Sequence, residues 1–169
     1  HRAAEGCEAA QVSLAFPEMK YYLTTTIPYV NAAPHLGHAL EFVQADALVR
    51  HARKRLGAEN VYFLAGSDEN AIKNVQAADA AGIPVAEFIE RNAAVFRELL
   101  KALNVSNDDF IRTTEPRHIQ GAQSLWKATN PADIYKKTYS GLYCTGCELF
   151  YQPEELNENG ECFEHPGKK

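Results

Sequence analysis

The sequence predicts an α/β chain built on a parallel sheet, followed by a short segment held together by a metal ion. Three observations predict it. Between residues 20 and 128, short β-branched or aromatic runs alternate with helix-length stretches of 3.6-residue period, the order that βαβ units produce. Beyond residue 131 no helix-length stretch remains. That tail carries Cys144-x-x-Cys147 and, after fourteen intervening residues, Cys162-x-x-His165.

Each element has its own signal. "KYYLTTT" is β-branched and aromatic, which suits a strand over 20–26 that stops before Pro28. From Leu36 the apolar residues fall at 36, 39, 40, 43, 47 and 48. That is the stripe of an amphipathic helix, and Gly57 ends it. "NVYFLAG" (60–66) is an apolar run expected of a strand buried on both faces. A second helix is expected to start near Asp68 or Glu69, either of which can cap it or sit favourably at its N-terminus, and to run to "GIP". Pro84 opens a third helix, as proline can at the first helical position. "DFIRTT" (109–114) reads as a strand and "EPRHIQGAQSLWKATN" as a helix ending before Pro131, with Trp126 expected in the core.

The chain has 169 residues, 46% hydrophobic and 23% charged, enough for one domain carrying a small insertion. A formal charge of −5 argues against nonspecific nucleic-acid binding driven by bulk charge. It leaves a local basic patch at Arg50, Arg53, Lys54 and Arg55. No apolar run approaches the roughly 18 residues of a membrane span and no secretory signal pattern is present, so a cytoplasmic protein without a membrane partner is expected. Residues 1–18 show neither period and precede the sole methionine, Met19. They are expected to be a disordered, non-native leader. The expected division is therefore a leader over 1–18, an α/β part over 19–115 and a shorter segment over 116–169.

"YVNAAPHLGHALEF" (29–42) sets His35 and His38 in the first turn of the expected helix. A helix N-terminus offers unpaired N–H groups and a partial positive charge, so it favours phosphate. Imidazoles there can donate to phosphate oxygens, and Gly37 between them clears space for a flat ligand. Neither G-x-x-x-x-G-K-[ST] nor G-x-G-x-x-G occurs in the chain, which argues against the usual P-loop or dinucleotide site. Spacing alone leaves open an ordinary pair of histidines. A metal pair is the weaker alternative, because no third ligand lies nearby in sequence.

The wider context carries more. "PHLGHA" resembles the HIGH motif of class I aminoacyl-tRNA synthetases, with Leu36 for the isoleucine. "TTTIPYVNAAPHLGHALEFVQADALVR", "ENVYFLAGSDEN", "IRTTEPRH" and "DIYKKTYSGLYCTGCELFY" are similar, in order, to segments of the methionine-specific members. The resemblance covers 19–169. It implies the first half of a Rossmann-like nucleotide-binding sheet and the start of a connective insertion bearing a zinc knuckle. It also implies ATP-dependent activation of methionine to its adenylate, with Mg2+, followed by transfer to tRNA. By motif, His35 and His38 are catalytic, and Asn31, His35, Gly37, His38 and Glu41 bind ATP. Ile27 and Tyr29 line the methionine pocket, and Asp68 holds the ammonium. One departure stands out. Many members read Asp-Glu-His-Gly where this chain reads Asp68-Glu69-Asn70-Ala71. The family's KMSKS loop and anticodon-binding helices have no counterpart here, and Lys168-Lys169 is no substitute, so the chain alone is expected to be inactive.

The cysteines speak more directly. Two ligand pairs separated by a short loop can close a tetrahedron around zinc, with Cys144, Cys147, Cys162 and His165 as ligands. Gly146 is expected to permit the tight turn and Gly160 to do the same before the second pair. Four protein donors leave no open position, so the zinc is expected to be structural. A reducing cytoplasm disfavours a disulfide. Two alternatives remain at this point. One is another class I synthetase or a nucleotidylyltransferase. The other is a noncatalytic zinc-stapled RNA-binding module, with Tyr143, Phe150 and Tyr151 as stacking or mini-core residues.

Overall fold

A computed structural model describes residues 19–167. The leader expected over 1–18, and Lys168-Lys169, lie outside the described residues. The elements run β1 (Tyr21–Thr24), α1 (Leu36–Leu56), β2 (Val61–Ser67), α2 (Ile72–Ala81), α3 (Val85–Ala102), β3 (Asp109–Arg112), α4 (Pro116–Ala128), β4 (Leu142–Cys144) and β5 (Leu149–Tyr151). Three strands form one sheet in the order β1-β2-β3, and β4-β5 form a second. β1 and β2 are parallel, from Tyr21 opposite Val61 to Thr24 opposite Leu64. The bonds that bracket β3, Asp108 N–H to Phe63 O and Thr113 N–H to Ser67 O, advance together along both strands, as parallel neighbours do. The α/β class with a parallel sheet is as the alternation of periods predicts.

The chain divides into two compact units. The first takes in 19–27, Pro34–Gly66 and Val95–Phe110. Its core is Ala45, Val49, Val61 and Phe63, with Tyr21, Leu23, Ala52, Leu56 and Val105 packed around them. Apolar burial of this kind stabilises each large side chain by roughly 1.5–3 kcal/mol. A polar lock ties α1 to the turn before β3. Asp46 accepts from the Ser106 N–H at 2.8 Å and from Arg50 Nε at 2.6 Å. Arg53 donates to the Ser106 carbonyl at 2.9 Å and to Asp108 at 2.7 Å, while Asp108 accepts the Phe63 N–H. Burial pushes the Asp46 carboxyl up, but the bonds from Ser106 and Arg50 outweigh it and hold the group below its ordinary value.

α1 has the length its period predicts but buries another face. Phe42, Ala45, Asp46 and Val49 are inside, whereas Leu36 is 88% exposed and Leu40, Val43 and Leu48 also face outward. Apolar residues lie on two sides of this helix, and the stripe at 36, 40, 43, 47 and 48 is the outer one. β2 is likewise not buried on both faces throughout. Tyr62 is exposed and stacks on Tyr22, with centroids 6.1 Å apart, and only from Ala65 to Ser67 is the strand continuously inside.

The second unit takes in Pro28–Ala33, Ser67–Ala94 and the described residues from Ile111 on. Trp126, expected in the core, is 65% exposed in α4, beside an exposed Leu125 and Ile119. No described element covers that side of α4, so the tryptophan has nothing to be buried against. α2 begins at Ile72, not at Asp68 or Glu69. The Asp68 side chain instead accepts the Asn70 N–H at 3.0 Å. Such an i to i+2 turn competes with helix formation and delays it.

Candidate active-site residues and metal centre

In the first unit His35 caps α1. Its Nδ1 accepts the Gly37 N–H at 3.0 Å, and His38 Nδ1 accepts the His35 N–H at 3.1 Å. This is a reciprocal capping box built from imidazoles. It settles the tautomers. A neutral ring whose Nδ1 accepts a bond carries its proton on Nε2. Both histidines thus keep an Nε2–H without a partner among the described residues, at a helix N-terminus that favours anions. The rings stack with centroids 3.9 Å apart, and Phe96 meets His38 edge-on at 5.2 Å. Burial, and then the neighbouring His35, hold His38 below the ordinary histidine value, so it stays neutral at pH 7. Gly37 has a second reason to be glycine. A Cβ there would lie 2.8 Å from His35 Cε1, inside the ring that caps the helix. Glu41 is occupied locally, accepting from the Thr26 N–H at 2.6 Å and the Thr26 hydroxyl at 2.7 Å. Ile27 is partly exposed.

In the second unit Tyr29 bridges to Asp68 through the backbone in parallel register, and the Asp68 N–H donates to the Pro28 carbonyl at 2.9 Å. Buried Val30 anchors this loop, its carbonyl accepting from Asn92 at 2.6 Å, while Asn31 is exposed. The Tyr29 hydroxyl donates to Glu148 at 2.6 Å and Lys73 Nζ stands 5.4 Å over the ring. The bond to Glu148, then burial, push the phenol up to about 12. Below Asp68 lies a residue that the sequence offers only as a helix start. Glu69 is buried and accepts from Ser67, from Arg112 Nε at 2.6 Å and from Thr114, while its N–H donates to Thr113 at 2.8 Å. Arg112 also reaches Glu90. An arginine at the end of the strand "DFIR", two residues after Phe110, is the signal that could have pointed to a buried acid.

The four metal-ligand candidates do come together. Their donor atoms all lie within 4.8 Å of one another. Cys147 Sγ is 3.4 Å from Cys162 Sγ and 3.2 Å from His165 Nδ1, and Cys144 Sγ is 3.8 Å from that nitrogen. A disulfide needs about 2.05 Å, whereas ligands at about 2.0–2.3 Å around one tetrahedral zinc sit some 3–4 Å apart. The donor set therefore fits a metal. Burial pushes the Cys162 thiol up, but bonds from Tyr151, Cys147 and the His165 and Glu164 N–H groups bring it down to about 6, toward the thiolate that ligates. Gly146 contributes otherwise than expected. Its φ is not positive, and a Cβ there would lie 2.5 Å from the His165 ring. It is glycine so that the ligand ring can approach. Gly160 is the one with a positive φ, 70°. Tyr139, Tyr143 and Phe150 pack on one another beside the site, with centroids 4.9 and 5.4 Å apart.

The fold and these residues define an α/β protein that presents a phosphate-ready helix start and carries a metal-ligating appendage. The family model described as "tRNA synthetases class I (M)" matches residues 21–166, and the chain belongs to that family. A methionine–tRNA ligase of Mycobacterium leprae is 47% identical over 143 residues, which take in 83% of this chain and 26% of the relative. One from Brucella suis is 46% identical over 137 residues, 80% of this chain and 26% of the relative. The crystal structure of Mycobacterium tuberculosis methionyl-tRNA synthetase bound by methionyl-adenylate matches with a TM-score of 0.76 at 44% identity, over 82% of this chain and 27% of that one. The chain spans about a quarter of the length of the curated relatives it matches.

Proposed function

We propose that these residues belong to a site that joins methionine to ATP, giving methionyl-adenylate and pyrophosphate, and then passes the methionyl group to tRNA. The observation that carries this reading is the histidine capping box, which leaves two Nε2–H donors at a helix N-terminus. In-line attack of a carboxylate on the α-phosphate asks little covalent chemistry of the protein. Positioning and stabilisation of phosphoryl charge supply the rate. His35 and His38 serve the phosphates and ribose, Gly37 lies beneath the adenine, and Asn31 and Glu41 complete the ATP contacts. ATP comes as its magnesium complex. Ile27 and Tyr29 line the methionine pocket, and Asp68 pairs with the ammonium, since its other carboxylate oxygen has no partner among the described residues. The zinc held by Cys144, Cys147, Cys162 and His165 would supply folding free energy to a segment with little apolar core of its own. Residues 19–115 form the catalytic half-domain and 116–169 the insertion, working with tRNA in the cytoplasm.

The test is ATP–pyrophosphate exchange by the complete natural gene product, offered methionine, leucine, isoleucine, valine or cysteine. Exchange with methionine alone is expected. Replacing His35 or His38 with Ala is expected to lower kcat by roughly 10²–10³, the range for a lost transition-state donor. Exchange with a different amino acid, or salt-dependent RNA binding with no exchange, would overturn the reading.

A further inference from the structure

Glu148 has no role in the chemistry described so far, yet its placement is unusual in four ways. It follows the metal-ligand candidate Cys147 directly and has a positive φ of 57°, outside the range most side chains adopt. Its N–H donates to the Cys144 carbonyl at 2.8 Å, so the turn between the two cysteines fixes its backbone. Its side chain reaches across 119 positions of sequence to accept the Tyr29 hydroxyl at 2.6 Å. The second carboxylate oxygen is buried with no hydrogen-bond partner. Leaving a buried acceptor unmade costs free energy, so the residue is not there for the stability of the turn alone. The half-buried tyrosine it grips has two further contacts. Lys73 stands over the ring and the Tyr29 backbone bridges to Asp68.

We propose that Glu148 is a positioning residue for the amino-acid substrate, holding the Tyr29 phenol in place on behalf of the cysteine turn. The cysteine segment thus governs the methionine pocket through one side chain, and a Tyr29 ring released from Glu148 turns away from the substrate. This rests on the reading of Tyr29 as a methionine-pocket residue, and the experiment separates the two.

E148A, E148Q, Y29F, Y29A and the E148A/Y29F pair are made in the complete natural gene product. Methionine affinity by calorimetry, KM for methionine and for ATP in exchange, and bound zinc are measured for each. E148A and Y29F are each expected to weaken methionine on the order of tenfold, the scale of a hydrogen bond to a charged group. KM for ATP and bound zinc stay at wild-type levels, and the double variant is no weaker than either single one, because both remove the same bond. Wild-type methionine affinity in E148A beside a weakened Y29A overturns the proposal and spares the pocket reading. Multiplicative effects in the pair, or loss of zinc in both E148A and E148Q, also overturn it by assigning Glu148 elsewhere. Wild-type methionine affinity in Y29A overturns the pocket reading itself.

Discussion

At the scale of single residues, His35 and His38 each do two things with one ring. Nδ1 caps the start of the helix, and Nε2–H has no partner among the described residues. Protonating Nδ1 destroys the acceptor, so acid undoes the cap. The sign follows from His38, whose value in the folded chain lies below the ordinary 6.5. The native state binds fewer protons there than the unfolded one, so its contribution is present above pH 6.5 and is lost as pH falls through the depressed value. An NMR titration of the His38 ring is expected to have its midpoint below 6.5. The His35 amide should exchange faster over the same span, and a midpoint above 6.5 would contradict the burial seen here. The positions of the two histidines were legible from their spacing and from the strand before them. Their tautomers were not, because i, i+3 spacing says nothing about which nitrogen the backbone occupies.

Among the elements, lengths were legible and faces less so. α1 runs from Leu36 to Leu56 as its period and Gly57 indicate. Its inner face is the one bearing Phe42, Ala45 and Val49, of which Ala45 and Val49 pack on Val61 and Phe63 of β2, while Leu36, Leu40 and Leu48 stay exposed. Periodicity cannot choose between two apolar sides of one helix; only the partner can. The loop after β2 shows a different limit. Asp68 and Glu69 look like a helix start in sequence, yet one closes a turn and the other is a buried anchor for Arg112 and Thr114. Removing Glu69 takes the acceptor from Ser67 and Thr114, while Arg112 keeps Glu90 as a partner, so the cost is that of buried groups left unpaired, about 1–3 kcal/mol. E69A is expected to lose stability of that order in urea unfolding, and E69Q less, since the amide can still accept from Arg112. A change below 1 kcal/mol in E69A would show that the loop stands without its anchor.

For the molecule as a whole, the outward apolar residues matter most. Leu36, Leu40, Val43 and Leu48 on α1, and Leu125 and Trp126 on α4, are all exposed. Exposed apolar faces of this kind mark interaction surfaces, and the relatives that this chain matches over one stretch are about three times as long. The 169-residue chain expressed alone is therefore expected to bind the dye ANS strongly at neutral pH, and Asp at positions 40 and 43 should lower that signal. Equal fluorescence in the double variant would place the apolar surface elsewhere. This also accounts for Trp126, whose composition suits a core that the described residues do not build around it.

Gly146 carries a lesson for recognising such centres in other chains. It offers no donor atom, yet the His165 ring stands where its first side-chain carbon would be. A search that reads only the cysteines and the histidine would accept a chain with alanine there as competent to hold zinc. The ring would have to shift, and its nitrogen would leave the place it holds beside the three sulfurs. The recognisable signature is thus five letters, and the silent one sets the clearance for the rest.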